Sequence, residues 1–251
     1  MPEVQLYSLE YAKEDLERAP PGEATLYLLL GHISNDLNIL SKLAIFAMND
    51  DPSSPEPTRR ARNTAAMLLV RLLAGRLYEA WSAMKGPISR LIPSYAADLG
   101  SESVENWKFI NRYFSQPNVI RDLRNKLSFH SDAGAISAGY AALPPDADFV
   151  DYLSIHQGNT LYFGGEFLSM SAMTKVSAKD DPHEAMDEIV AHTTTFAGRL
   201  GDFINEFVRV FAERHLAVTP DELLAHVIKF DAPPLDAITL EYFCAPPSSV
   251  A

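Results

Sequence analysis

The chain has 251 residues, 47% hydrophobic and 22% charged, the make-up of a globular protein that can bury a sizeable core as one large domain or two small ones. A formal net charge of −12 argues against indiscriminate nucleic-acid binding, and a single cysteine, Cys244, excludes an internal disulfide and fits a reducing compartment. The longest apolar runs, 24–30 and 65–73, are too short to span a bilayer, and the N-terminus lacks the pattern of a signal peptide, so a cytoplasmic protein without membrane attachment is expected.

The first strong helical pattern runs from Ala24 to Asn49, where Leu26, Leu29, Leu30, Ile33, Leu37, Leu40, Leu43, Ile45 and Phe46 recur at helical spacing. Asn49-Asp50-Asp51-Pro52-Ser53-Ser54-Pro55 stops it. Thr58 can cap a helix from Arg59 to Met84, and Lys85-Gly86-Pro87 is expected to end that one. Shorter helices are expected over Ser89–Ala97 and Ser101–Phe114. Gln116-Pro117 opens another, with proline in its tolerated first position, running to His130. Ala133–Ala142 is read as helical as well.

Leu143-Pro144-Pro145 marks a change of character. Residues 149–170 are rich in aromatic and β-branched side chains around the turn signal Gln157-Gly158-Asn159, and the pattern predicts a β-hairpin. Asp180 or Asp181 can cap a second long helix from Pro182 to Leu216, with Phe196, Leu200, Phe203, Ile204, Phe207 and Phe211 in its stripe. Thr219-Pro220-Asp221-Glu222 is read as the start of a short terminal helix, and Cys244 onward as a frayed tail. The expectation is a mainly α protein: a multi-helix bundle with two long helices and one inserted β-hairpin (149–170), forming a single domain over 1–251.

Charge is unevenly distributed. From Arg59 to Lys126 there are 12 basic and 5 acidic residues, a net +7, against −19 for the remainder. Such a segment either presents a phosphate-facing patch or pairs with acids from elsewhere in the chain. GxGxxG, Walker, HExxH, GxSxG and CxxC motifs are absent. Two i, i+4 pairs, His32 with Asp36 and Glu188 with His192, have the residue types of a metal site, but neither follows the Glu-x-x-His pattern of di-iron bundles. Tyr78, Trp81, Trp107, Tyr113 and Phe114 read either as core or as the lining of a pocket.

One constellation carries chemistry. Asn118 to His130 reads NVIRDLRNKLSFH and contains Arg124, Asn125 and, four residues on, His130. This resembles the Rx4–6H signature of the HEPN superfamily, in which a polar residue follows the arginine. The resemblance covers about residues 24–145, leaving 146–243 as additions. It implies a helical bundle that pairs as a homodimer and a metal-independent ribonuclease of the toxin or phage-defence kind, without cofactor. RNA is then the substrate, and Arg124, Asn125 and His130 are the catalytic residues. Other members of the superfamily are inactive scaffolds.

The chemistry suits the residues: an imidazole titrating near neutrality can take the proton of a ribose 2′-OH, and a guanidinium can hold a phosphate with its fixed fork of donors. In a regular α-helix, however, Arg124 and His130 would stand about 120° apart and about 9 Å along the axis. The competing reading is structural. Ile120, Leu123, Leu127 and His130 fall on one helical face, so His130 can simply end an apolar stripe. The chain would then be a helical scaffold whose hairpin contacts a protein partner.

Overall fold

The computed structural model describes residues 2–49, 53–128, 133–177, 179–216 and 227–245. The described chain is mainly helical. Its α-helices are α1 Lys13–Leu16, α2 Glu23–Met48, α3 Glu56–Phe114, α4 Val119–Leu123, α5 Ala133–Ala141, α6 Phe163–Ser177 and α7 Pro182–Phe211. Wider π-helical turns, Arg124–Ser128 and Ala212–Leu216, extend α4 and α7. Strands β1 Glu3–Tyr7 and β2 Val227–Asp231 pair antiparallel, with Glu3 opposite Asp231 and Tyr7 opposite Val227.

The chain forms two compact units, and three of the five boundaries between them fall inside α2, α3 and α7. The first comprises Met1–Asn38, Arg76–Gln116 and Thr194–Pro234. Its core is built on helical periodicity. Leu26, Leu30, Ile33 and Leu37 of α2 are buried, as are Leu77, Met84, Ile88, Ile110 and Phe114 of α3 and Phe203, Phe207 and Phe211 of α7. Aromatic stacking joins the elements: Trp107 on Phe203 at 5.2 Å, Tyr95 on Phe207 at 4.8 Å and Tyr27 on Phe211 at 4.4 Å. Of the aromatics weighed as pocket lining, Trp81, Trp107 and Phe114 are core, while Tyr78 and Tyr113 are half-buried against Phe114; Trp81 stacks on Phe114 at 5.6 Å and donates its indole N–H to Asn111 Oδ1.

The second unit comprises Ile39–Gly75, Pro117–Thr193 and Leu235–Ala251. Small residues Ala44, Ala47 and Ala66 with Leu69 let α2 and α3 approach here, and Leu240 packs against them. Helices α5 and α6 meet at Gly139, where a Cβ would lie 3.1 Å from the Leu168 carbonyl oxygen and 3.3 Å from the Ala172 nitrogen. The segment after residue 235 is strapped down. Asn49 Nδ2 donates to the carbonyls of Leu235 (2.9 Å) and Ile238 (2.7 Å), Leu240 N–H donates to Phe46 O, and Arg62 pairs with Glu241 at 2.6 Å.

Several expectations need correction. The helix expected to end at Lys85-Gly86-Pro87 continues through Pro87 and Pro93. Proline in a helix interior costs about 3 kcal/mol, but Met84, Ile88 and Tyr95 are buried on either side, and their burial holds the chain on a helical path. The interruption comes instead at Gly100, whose φ of 74° and ψ of 163° leave the helix, so the start near Ser101 stands. Pro117 does not occupy the first turn of α4. Asn118 caps that helix, its side chain accepting the Arg121 N–H at 2.8 Å. Of the two candidate caps for α7, Asp181 serves, accepting from His183 N (2.7 Å) and Glu184 N (3.1 Å).

The 149–170 segment does turn back at Gln157–Asn159, but its pairing is the single antiparallel bridge Tyr152 to Leu161, and from Phe163 the chain is helical. The Asp151 carboxylate explains the switch: it accepts Gly164 N–H at 3.0 Å, capping α6 where a second strand was expected. The small sheet lies elsewhere, between β1 and β2. Nor is Cys244 frayed: Asn159 holds its main chain through two hydrogen bonds. The expected helix at 219–222 lies outside the described residues.

Candidate functional site

Helix α4 is anchored by its apolar face, with Val119, Ile120 and Leu123 buried. At Arg124 the backbone changes to the π-helical turn Arg124–Ser128. Departures of this kind are frequent at functional sites, because a wider turn re-aims side chains that a regular helix would fix. Arg124 is half-buried and Asn125 exposed, and Arg124 Nη1 donates to Asn125 Oδ1 at 3.0 Å. The structure thus brings together two of the three residues singled out in sequence. The third, His130, lies outside the described residues. Leu127 is half-buried, so the stripe Ile120, Leu123, Leu127 lies inward as far as it is described.

The surrounding charge is mixed. Arg121 Nε lies 3.9 Å from Asp122 Oδ1, and Lys126 is half-buried. Across the wider basic segment five further cations are paired with acids. Arg60 pairs with Glu56, Arg62 with Glu241, Arg71 with Glu166, Arg76 with Asp36 and Lys108 with Glu105. Arg62 and Arg71 are buried, so their acids neutralise cations already removed from solvent.

The metal reading finds no support in the same geometry. His32 Nε2 is 3.7 Å from Asp36 Oδ2, and that same oxygen is held by Arg76 at 2.8 Å, so a cation already neutralises the carboxylate. Among the described residues no three His, Cys, Asp or Glu side chains converge, and Glu188 and His192 complete no such cluster.

A second polar cluster escaped sequence reasoning. In the first unit Glu23 opens α2, Tyr95 sits in α3 and His215 in the π-helical turn after α7. The Tyr95 hydroxyl donates to Glu23 Oε2, and His215 Nε2 lies 3.2 Å from both oxygens. The Glu23 and His215 side chains are only 12% and 17% exposed. The Arg214 guanidinium covers the Tyr95 ring at 4.0 Å and pairs with Asp98. Burial, reinforced by the hydrogen bond to Glu23, pushes the Tyr95 hydroxyl well above the usual phenol range and keeps it neutral. The three residues are separated by scores of positions, and no local spacing announces them. Their hydrogen bonds tie three helical elements together, and we assign the cluster a structural role. A cavity of about 340 Å³ bounded by Gly22, Glu23, Leu26 and Arg90 adjoins it.

No protein-family model, curated protein or solved structure matches this chain.

Proposed function

We propose that the chain is a HEPN-like, metal-independent endoribonuclease acting as a homodimer, with Arg124, Asn125 and His130 at its centre. The observation that carries this reading is the π-helical turn beginning at Arg124. The objection that Arg124 and His130 diverge by about 120° assumes a regular α-helix throughout; Arg124 itself still has α-helical dihedrals and donates its N–H to Ile120 O, but the turn it opens, Arg124–Ser128, is π-helical. The bond from Arg124 Nη1 to Asn125 Oδ1 adds support, since it orients the guanidinium through the polar residue that the motif places next to it.

In this mechanism His130 takes the proton of the ribose 2′-OH, and the 2′-oxygen attacks the adjacent phosphorus. The Arg124 guanidinium stabilises the charge that builds on the non-bridging oxygens. The bond to the 5′-oxygen breaks, and that oxygen leaves after gaining a proton from water or from the second copy of the motif. The products are a 2′,3′-cyclic phosphate and a 5′-hydroxyl.

The test is cleavage of single-stranded RNA in excess EDTA by wild type, His130→Ala and Arg124→Ala, with product ends identified by mass. Cyclic-phosphate products from wild type and a loss of about 10²-fold or more in either variant are expected. Equal activity in wild type and both variants, or no cleavage by the wild type, would remove the assignment.

A further inference from the structure

The 149–162 segment of the second unit is shaped like an arm with an inner and an outer edge. On the inner edge, Tyr152 exchanges two main-chain hydrogen bonds of 2.8 Å with Leu161, and Ser154 N–H donates to Thr160 Oγ1 at 3.2 Å. Tyr242 Oη donates to Thr160 O at 2.7 Å, and Asn159 is tied to the main chain of Cys244, so the arm is held from behind. The outer edge is different. Among the described residues no hydrogen bond engages the main chain of Leu153 or Ile155. Their side chains are 76% and 96% exposed, and Tyr162 is 66% exposed. Half-buried and exposed side chains alternate along Tyr152, Leu153, Ser154 and Ile155, as in an extended segment with one covered face.

Exposed apolar side chains on an open strand edge are a feature that proteins ordinarily suppress with charge, proline or a covering element. The charge that flanks the edge along the sequence has one sign. The sequence contains no lysine or arginine between Lys126 and Lys175, whereas Asp146, Asp148 and Asp151 precede the edge and are exposed.

We propose that the outer edge of this arm is a docking site for an extended segment of a partner protein in which apolar and cationic residues alternate. The segment would add as a β-strand along residues 152–155. Main-chain groups of Leu153 and Ile155 supply the ladder, their side chains take the apolar residues, and the aspartates select positive charge. A rigid arm lowers the ordering cost of adding the strand. The inference is independent of the nuclease reading, which concerns other residues and another chemistry.

The probe is a synthetic eight-residue peptide of alternating lysine and valine, with a glutamate/valine peptide as its counterpart, titrated into the ¹⁵N-labelled full chain at about 0.15 M salt. The lysine peptide should shift the amides of Leu153 and Ile155 and bind at least tenfold more tightly than the glutamate peptide. The double substitution Leu153→Ser/Ile155→Ser should weaken it at least tenfold with the helical circular dichroism unchanged, and Asp146→Asn/Asp148→Asn should narrow the gap between peptides. Unmoved amides at saturating peptide, or equal affinity for the two peptides, would overturn the proposal. So would sedimentation of the peptide-free chain as a dimer that the double serine variant dissociates, because the edge would then belong to a second copy.

Discussion

Replacing Gly139 by alanine sets two effects of known sign against each other. Within α5 the change removes the conformational freedom of glycine and on propensity alone stabilises the helix by about 1 kcal/mol. The new methyl group, however, meets the Leu168 carbonyl oxygen at 3.1 Å and the Ala172 nitrogen at 3.3 Å. Both are main-chain atoms of α6 and cannot rotate aside as a flexible side chain would. Relief requires the two helices to separate by a few tenths of an ångström, and overpacking of this kind costs about 1–3 kcal/mol. The net expectation is destabilisation by about 1 kcal/mol, or about 2–4 °C in Tm for a chain of this size. Gly198 in α7 provides the opposite case: a Cβ there meets nothing within 4 Å, so Gly198→Ala should stabilise by about 0.5–1 kcal/mol. Urea unfolding followed by far-ultraviolet circular dichroism separates the two, with midpoints shifted in opposite directions at constant slope. If Gly139→Ala raised the midpoint as Gly198→Ala does, α5 would not be seated on α6 at the distance described and the argument would fail.

Further outcomes follow from named groups. Arg62, together with Thr239, holds the Glu241 carboxyl below its ordinary value of 4.5; a depressed carboxylate stabilises the fold above its unfolded pKa and loses that contribution as pH falls through the folded one. The strap beginning at residue 235 should therefore loosen at acid pH, seen as faster amide exchange at Leu240, and Glu241→Gln should abolish the pH dependence. Tyr27 and Tyr95 both have phenols raised above the ordinary value of 10, chiefly by burial, so the unfolded chain releases their protons first. Stability should decline as pH rises above about 10, and Tyr27→Phe/Tyr95→Phe should flatten that decline in thermal melts between pH 9 and 11. Phe203→Ala removes a fully buried ring stacked on Trp107 and should cost about 3–5 kcal/mol, measured by urea unfolding with tryptophan fluorescence as a second probe. Asn49→Ala withdraws two hydrogen bonds from the carbonyls of Leu235 and Ile238 and should cost about 1–3 kcal/mol, read as proteolytic release of the C-terminal segment.

The sequence by itself determined the helical character of the chain, because helices announce themselves through a period of 3.6 that needs no distant partner. The buried stripes Leu26–Leu30–Ile33–Leu37 and Phe203–Phe207–Phe211 are visible to anyone counting residues. The Arg124-Asn125 pair was likewise legible, being adjacent in the chain. Tertiary structure decided the rest. The chain passes Pro87 and Pro93 without breaking because buried neighbours outweigh a local penalty. Residues 163–170 are helical where a strand was expected, and Asp151, distant by 13 positions from Gly164, caps that helix. The β1–β2 sheet and the Glu23–Tyr95–His215 cluster join residues up to 228 and 192 positions apart, a separation that no window of sequence spans. Periodicity records which face of a segment is buried, but which segments meet depends on loop closure and packing across the whole chain.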